Sequence, residues 1–101
     1  MKIPTQHASY FAGDGPKEGG LVVEPGWFQL WPPDRIEQRN RDYRVQEFAA
    51  GFLGFGSSGG GEMLAFDADG RVVMIPFVGM SVDEAKPVAD SWSDFVKKIE
   101  R

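Results

Sequence analysis

The sequence predicts an α+β domain with a mostly antiparallel sheet of four to five strands, one inserted helix and a C-terminal helix. Two alternating apolar segments, residues 62–67 and 71–77, flank a short Asp-Ala-Asp-Gly turn, which is typical of a β-hairpin. Near the C-terminus, apolar residues recur with i, i+3, i+4, i+7 spacing, which indicates an amphipathic helix. The chain of 101 residues suffices for a single domain spanning 1–101.

The N-terminal part of the chain carries the weakest signals. Residues 1–20 combine glycines and prolines without periodicity, and we expect a loop-like segment there. Residues 21–24 form a short β candidate that a Pro-Gly turn closes, and residues 27–31 strongly favour a strand. These two segments are expected to supply the first strands of the sheet.

A Pro-Pro-Asp sequence at 32–34 opens the inserted helix, because proline is tolerated in the first turn and an early acid suits the helix dipole. The helix is expected to run to about Tyr43, with an inward stripe of Ile36, Asn40 and Tyr43. Arginines in this region alternate with acids, which favours a solvated, salt-bridged face over a nucleic-acid patch.

Helices and strands are easier to assign in the second half of the chain. Residues 52–55 are a strand candidate that precedes a glycine-rich turn, and residues 79–90 are expected to be irregular. Ser91 or Asp90 caps the last helix. Its apolar stripe comprises Trp92, Phe95, Val96 and Ile99.

Positions 54–59 read GFGSSG, a literal match to the G-x-G-x-x-G dinucleotide fingerprint. That fingerprint requires a helix immediately afterwards, whereas residues 62–66 alternate like a strand, so no cofactor is predicted. The Asp-Ala-Asp-Gly turn lacks the third oxygen ligand and the distal Glu of a calcium loop, so no metal is predicted. We interpret the glycines as structural turn residues: Gly56, Gly59, Gly60, Gly61 and Gly70.

The composition of the chain limits the classes of partner that it is expected to bind. The net charge of −4 disfavours nucleic acid and anionic membranes, and it suits a basic protein partner. No apolar run is long enough to cross a membrane, and the N-terminus lacks the apolar core of a signal peptide, so we expect a cytoplasmic protein. The chain has no cysteine, and its single histidine, His7, is expected to be solvated, so no catalytic residue is predicted.

Trp27 and Trp31 are the candidate partner surface. In an extended segment they lie on the face opposite Phe28 and Leu30, so one of the two apolar sets must be covered by something other than the core. A helix, a protein partner or a second subunit are the alternatives for that cover.

Four segments in order carry a family resemblance: the Trp-Pro-Pro-Asp helix start, the strand with its Ser-Ser-Gly-Gly-Gly-Glu turn, the Leu-Ala-Phe-Asp strand end, and the Ala-Asp-Ser-Trp-Ser-Asp-Phe entry to the last helix. This order resembles the SMI1/KNR4 (SUKH) superfamily over about residues 21–100. The resemblance implies a fold with a mostly antiparallel sheet and no enzymatic activity, so no catalytic, cofactor or metal residues are carried over.

For many bacterial members, the resemblance implies an immunity protein that binds and neutralises a cognate toxin, often a nuclease. Fungal members are regulators of cell-wall synthesis. The alternative is therefore a regulatory or scaffold interaction module of the same fold without a toxin partner.

One departure concerns the N-terminus. Members of the superfamily usually begin with helical segments, whereas residues 10–15 resemble only the end of that region, so the N-terminal helices are expected to be missing. Part of the sheet would then lose its helical cover. We expect a second subunit to supply that cover, which would give a homodimer.

Overall fold

The computed structural model describes residues 3–100 and contains one sheet of six strands. The strands are β1 (Glu18–Gly20), β2 (Trp27–Leu30), β3 (Leu53–Ser57), β4 (Glu62–Phe66), β5 (Val72–Pro76) and β6 (Lys86–Ala89). Each strand pairs antiparallel with the next one along the chain, so the sheet is a meander. The α+β class is confirmed, but the expected four to five strands are corrected to six.

Four α-helices and one 3-10 turn accompany the sheet in the described part of the chain. They are α1 (Thr5–Ala12), α2 (Pro33–Asp42), α3 (Val45–Phe48), the 3-10 turn (Val82–Glu84) and α4 (Trp92–Lys97). Side chains of α1 and α4 pack on the inner face of the sheet, which we define by Phe55 and Phe66. Trp31 and Met63 lie on the opposite, outer face beside Gly54, and helix α2 lies along the free edge of β3, with its Arg39 5.7 Å from the Trp31 ring.

The loop expected over residues 1–20 is wrong for the described part of that segment, which contains α1 and β1; positions 1 and 2 lie outside the described residues. Helix α1 has little sequence signal because His7 is its one fully buried residue and no side chain caps its N-terminus. Strand β1 is missed because two of its three residues are glycines. Pairing with β2, and not intrinsic propensity, holds β1 extended.

Two further segments differ from expectation. Residues 21–24 do not form a strand, since Leu21 makes only an isolated bridge to Ile99. Residues 79–90, expected to be irregular, contain the 3-10 turn and β6. Pro87 obscures β6 in the sequence, yet an edge strand tolerates proline because one of its sides needs no ladder donor.

The hairpin is confirmed, and the last helix is confirmed as far as Lys97, whereas Ile99 of its predicted stripe lies beyond the helix in a bridge to Leu21. Strands β4 and β5 are buried on both faces, because both faces of the hairpin carry apolar side chains. In the turn between them, Asp67 Oδ1 accepts hydrogen bonds of 2.9 Å from the backbone N–H groups of Asp69 and Arg71. The N-cap of α4 is Ser91, whose Oγ accepts a 3.1 Å hydrogen bond from the N–H of Asp94.

Asn40 joins helix α2 to the sheet. This buried side chain donates to the carbonyls of Ile36 (2.7 Å) and Gly54 (2.9 Å), and it accepts from the N–H of Gly54 (2.8 Å). Strand β2 pairs with β3 only at Gly56 and Ser57, so the β2-facing edge of β3 has no strand partner at Gly54. The amide of Asn40 supplies the donor and the acceptor that a neighbouring strand would otherwise provide.

We expect Asn40→Ala to lower the free energy of unfolding by about 2–4 kcal/mol, because it leaves both backbone groups of Gly54 buried without a partner. Urea denaturation followed by circular dichroism measures the change. Gln38→Ala is the matched control: this exposed side chain on the same helix bonds only to its helical neighbours, and we expect less than about 0.5 kcal/mol. Equal losses in the two variants would contradict the role given to Asn40.

Candidate partner-binding groove

The two tryptophans singled out by the sequence have different surroundings. Trp31 is only 6% exposed: its ring stacks on Tyr43 with centroids 5.8 Å apart, and the guanidinium of Arg39 lies 5.7 Å from its centroid. Helix α2 and the residue that follows it therefore cover Trp31. Trp27, at the other end of β2, remains 43% exposed.

A groove of about 500 Å³ is lined in part by Trp31, and we call it the aromatic groove. Its lining comes from the β2–α2 junction, the last turn of α2, the β3–β4 turn and the residue after β5. The lining residues are Gln29, Leu30, Trp31, Pro32, Arg39, Tyr43, Ser57, Gly59, Gly60 and Phe77. Trp27 flanks the groove, because a Cβ atom at Gly59 would lie 3.0 Å from its Cδ1.

A continuous row of rings forms one wall of the groove. Tyr43 contacts Trp31 on one side and Phe77 on the other, with centroids 5.8 and 4.6 Å apart. Tyr43 is 38% exposed, so part of the row faces solvent. The packed neighbours on both sides hold the partly exposed Tyr43 ring in place.

Arg39 is the one charged side chain in the lining of the groove. Within residues 3–100 it takes part in none of the ion pairs, whereas Arg41 and Arg44 pair with Glu37 (2.8 Å) and Glu47 (2.6 Å). Those two exposed pairs agree with the salt-bridged face predicted for this region. The groove thus presents one guanidinium beside exposed Trp and Tyr rings, the three residue types most enriched among interface hot spots.

The predicted turn glycines divide into three groups. Gly59 and Gly70 adopt positive φ values of 80° and 82°, which favour glycine in their turns. Gly56 is not a turn residue: it lies within β3 next to a β-bulge, and a Cβ there would collide with the backbone oxygen of Gln29. Gly60 and Gly61 have no close neighbour to exclude a side chain.

Two other recesses lie outside the aromatic groove. One of about 340 Å³ brings together Glu24, Glu62 and Glu84 with Lys86. The other, of about 840 Å³, lies against α2 and α3 with charged rims from Arg41, Arg44, Glu37 and Glu47. Among residues 3–100, no group of His, Asp and Glu side chains is placed to hold a metal ion, and no helix is long and apolar enough to span a bilayer.

The antiparallel meander with α1 and α4 on its inner face and α2 along the β3 edge defines an α+β domain. The profile of the SMI1 / KNR4 family (SUKH-1) matches residues 8–98, and the chain belongs to this family. The match begins inside α1, so the family region starts well before residue 21, where the sequence resemblance was placed. A search of the curated proteins found no match.

Truncation of the two tryptophans should lower the stability of the protein by different amounts. We expect Trp31→Ala to lower the free energy of unfolding by about 3–5 kcal/mol, as for other buried tryptophans, because its ring supports Tyr43 and Arg39. Trp27→Ala should cost less than about 1 kcal/mol, since much of its ring is already in water. Urea denaturation of both variants provides the measurement, and a large loss for Trp27→Ala would place that ring in the core.

The close approach of β2 to β3 at Gly56 gives a second prediction. Gly56→Ala should destabilise the protein by about 1–3 kcal/mol, because the new methyl group meets a backbone oxygen that cannot move without shifting β2. Gly61→Ala is the control, with open space around its Cβ and no positive φ, and should change stability by less than about 0.5 kcal/mol. The idea fails if thermal unfolding shows the two variants to be equally stable.

Proposed function

We propose that this chain is a non-catalytic protein-binding domain, and that it is an immunity protein that binds and neutralises a cognate toxin. The observation that carries the proposal is the aromatic groove, which Tyr43 and Arg39 line and the exposed Trp27 flanks. Exposed Trp and Tyr rings beside an unpaired guanidinium are the usual centre of a protein interface. Family membership supports the same assignment.

The side chains of the groove suit recognition and not turnover. General acid–base catalysis needs a positioned pair of titratable groups near neutral pKa, and the lining supplies only Arg39 and Tyr43 as ionisable residues. The single histidine of the chain, His7, lies buried among aromatic rings on the inner face of the sheet. Binding that blocks a toxin requires no chemistry, only a complementary surface.

Charge supports a basic partner. The chain carries a net charge of −4, which accelerates encounter with a cationic protein in the cytoplasm, the compartment we propose. A stable interface buries about 800 Å² on each partner, so the groove would be the centre of a wider contact. The net negative charge of the chain would steer the partner, while the rings supply most of the affinity.

The homodimer expected from the sequence depended on an uncovered sheet face. Helices α1 and α4 cover the inner face, and Phe28, Phe55 and Phe66 are at most 1% exposed there. That cover removes the reason for a second copy. We therefore propose a partner of different sequence for the aromatic groove.

The test uses the product of the gene next to the one that encodes this chain. We expect a toxin whose growth arrest is relieved by co-expression of this chain, and a nanomolar complex in calorimetry at low salt. Trp27→Ala should weaken the complex by about 30-fold or more, as expected for a hot spot. Phe48→Ala is the matched control, since Phe48 is a ring 46% exposed outside the groove, and should change affinity less than about threefold.

The possible outcomes test separately whether the groove is the interface, whether the partner is a toxin, and whether the chain binds a second copy of itself. Equal affinities of the Trp27 and Phe48 variants would reject the groove as the interface. A neighbouring protein that binds through Trp27 but does not arrest growth would reject toxin neutralisation and support the regulatory module. Light scattering of the chain alone reports its oligomeric state, and a dimer that Trp27→Ala dissociates would assign the groove to a second copy.

A further inference from the structure

His7 occupies an unusual place for a titratable residue. The expectation of a solvated side chain is wrong, because His7 is 0% exposed and lies at the centre of the inner-face packing. Its ring lies 4.8 Å from Trp92 and 5.9 Å from both Phe55 and Phe66, and 6.1 Å from Phe11 on its own helix. Three elements and α1 itself therefore enclose the imidazole with aromatic rings.

Neither ring nitrogen of His7 has a hydrogen-bond partner among residues 3–100. Burial away from water disfavours the charged imidazolium, which holds the pKa of His7 below its ordinary value of 6.5. The neutral form is thus the one that fits the packed structure.

The charged groups on the elements around His7 do not offset the lowering of its pKa. The packed residues of β3 and β4 are phenylalanines. The charged residues of α4 are Asp94, Lys97 and Lys98, of which Asp94 and Lys98 pair at 3.5 Å. Lys17 donates to backbone carbonyls after α1, and the Tyr10 hydroxyl donates to another at 2.6 Å.

Helix α1 is lightly attached compared with the sheet. It has eight residues and no side-chain N-cap, and His7 is its one fully buried residue. Tyr10 and Phe11 are only partly buried against the core. Elements with few buried contacts open locally at lower free energy than the core strands.

We propose that α1 is an acid-sensitive latch, in which protonation of His7 releases the helix from the inner face and exposes the rings of Phe55, Phe66 and Trp92 while the six-stranded sheet persists. The device is independent of the aromatic groove, which lies on the other face of the sheet. It depends on the position of one imidazole within an apolar enclosure.

The sign of the effect follows from the linkage between protonation and opening. The opened helix binds a proton with the ordinary pKa of 6.5, whereas the closed one resists it, so the latch is fully stable above pH 6.5. As pH falls below 6.5, the ratio of closed to open helix drops by up to about tenfold per pH unit, until the closed form also protonates. No other histidine titrates in this window.

Hydrogen exchange between pH 7.5 and 5.0, corrected for the intrinsic rate, tests the latch. We expect exchange in residues 3–13 to rise about tenfold or more at the acid end, while residues 62–76 of the β4–β5 hairpin stay protected. His7→Leu keeps an apolar side chain in the enclosure and removes the titration. In that variant the protection of residues 3–13 should not depend on pH.

Three results would overturn the latch: exchange of residues 3–13 that does not change with pH, the same pH dependence in His7→Leu, or simultaneous loss of protection in the hairpin. If His7→Leu does not fold, an NMR titration of the His7 ring in the unaltered chain decides the question. A titration midpoint at or above 6.5 in the folded protein would refute the proposal.

Discussion

The contact between Asn40 and Gly54 is the constraint on which the outer half of this protein depends. Strand β2 leaves β3 after two paired residues to begin helix α2, which would leave the backbone groups of Gly54 buried and unpaired. The Asn40 amide replaces the missing strand, and in doing so it fixes the rotation of α2 on the sheet. That rotation places Arg39, the residue before Asn40, and Tyr43, three residues after it, beside Trp31. The aromatic groove is therefore a consequence of how one strand edge is satisfied.

Asn40 and His7 are both buried polar side chains, but they differ in whether their polar atoms are hydrogen-bonded. Asn40 makes three hydrogen bonds, so its burial rigidifies the α2–β3 contact. His7 makes none within residues 3–100, and it is held only by packing against rings such as Trp92. An unsatisfied buried polar group costs about 1–3 kcal/mol, so the inner face keeps a weak point at α1 that the outer face lacks. The proposed partner surface and the proposed latch thus lie on opposite faces of one sheet.

Local sequence patterns predict the elements whose signals are strong and short in range. The alternating β4–β5 hairpin, the Ser91-capped stripe of α4 and the Pro-Pro-Asp start of α2 follow from periodicity, capping and proline chemistry. Strands β1 and β6 do not, because glycines and Pro87 mask them and only pairing with a neighbour makes them extended. For the candidate site, alternation in β2 placed Trp27 and Trp31 on the face opposite Phe28 and Leu30 but left open which set is covered, and the structure buries Trp31 while Trp27 stays exposed.

The order of residues along the chain is enough to predict the fold class, the central hairpin, helices α2 and α4, and the resemblance to the SMI1/KNR4 family, because each of these depends on neighbouring residues or on their succession. The exposure of Trp27 but not Trp31, the close approach that excludes a side chain at Gly56, and the burial of His7 follow only from the packed structure. These depend on approaches between segments far apart in the chain, such as Tyr43 to Trp31 or His7 to Trp92, which no local pattern encodes. Burial of a side chain is a property of what packs over it, and that is settled only when the sheet and its helices come together.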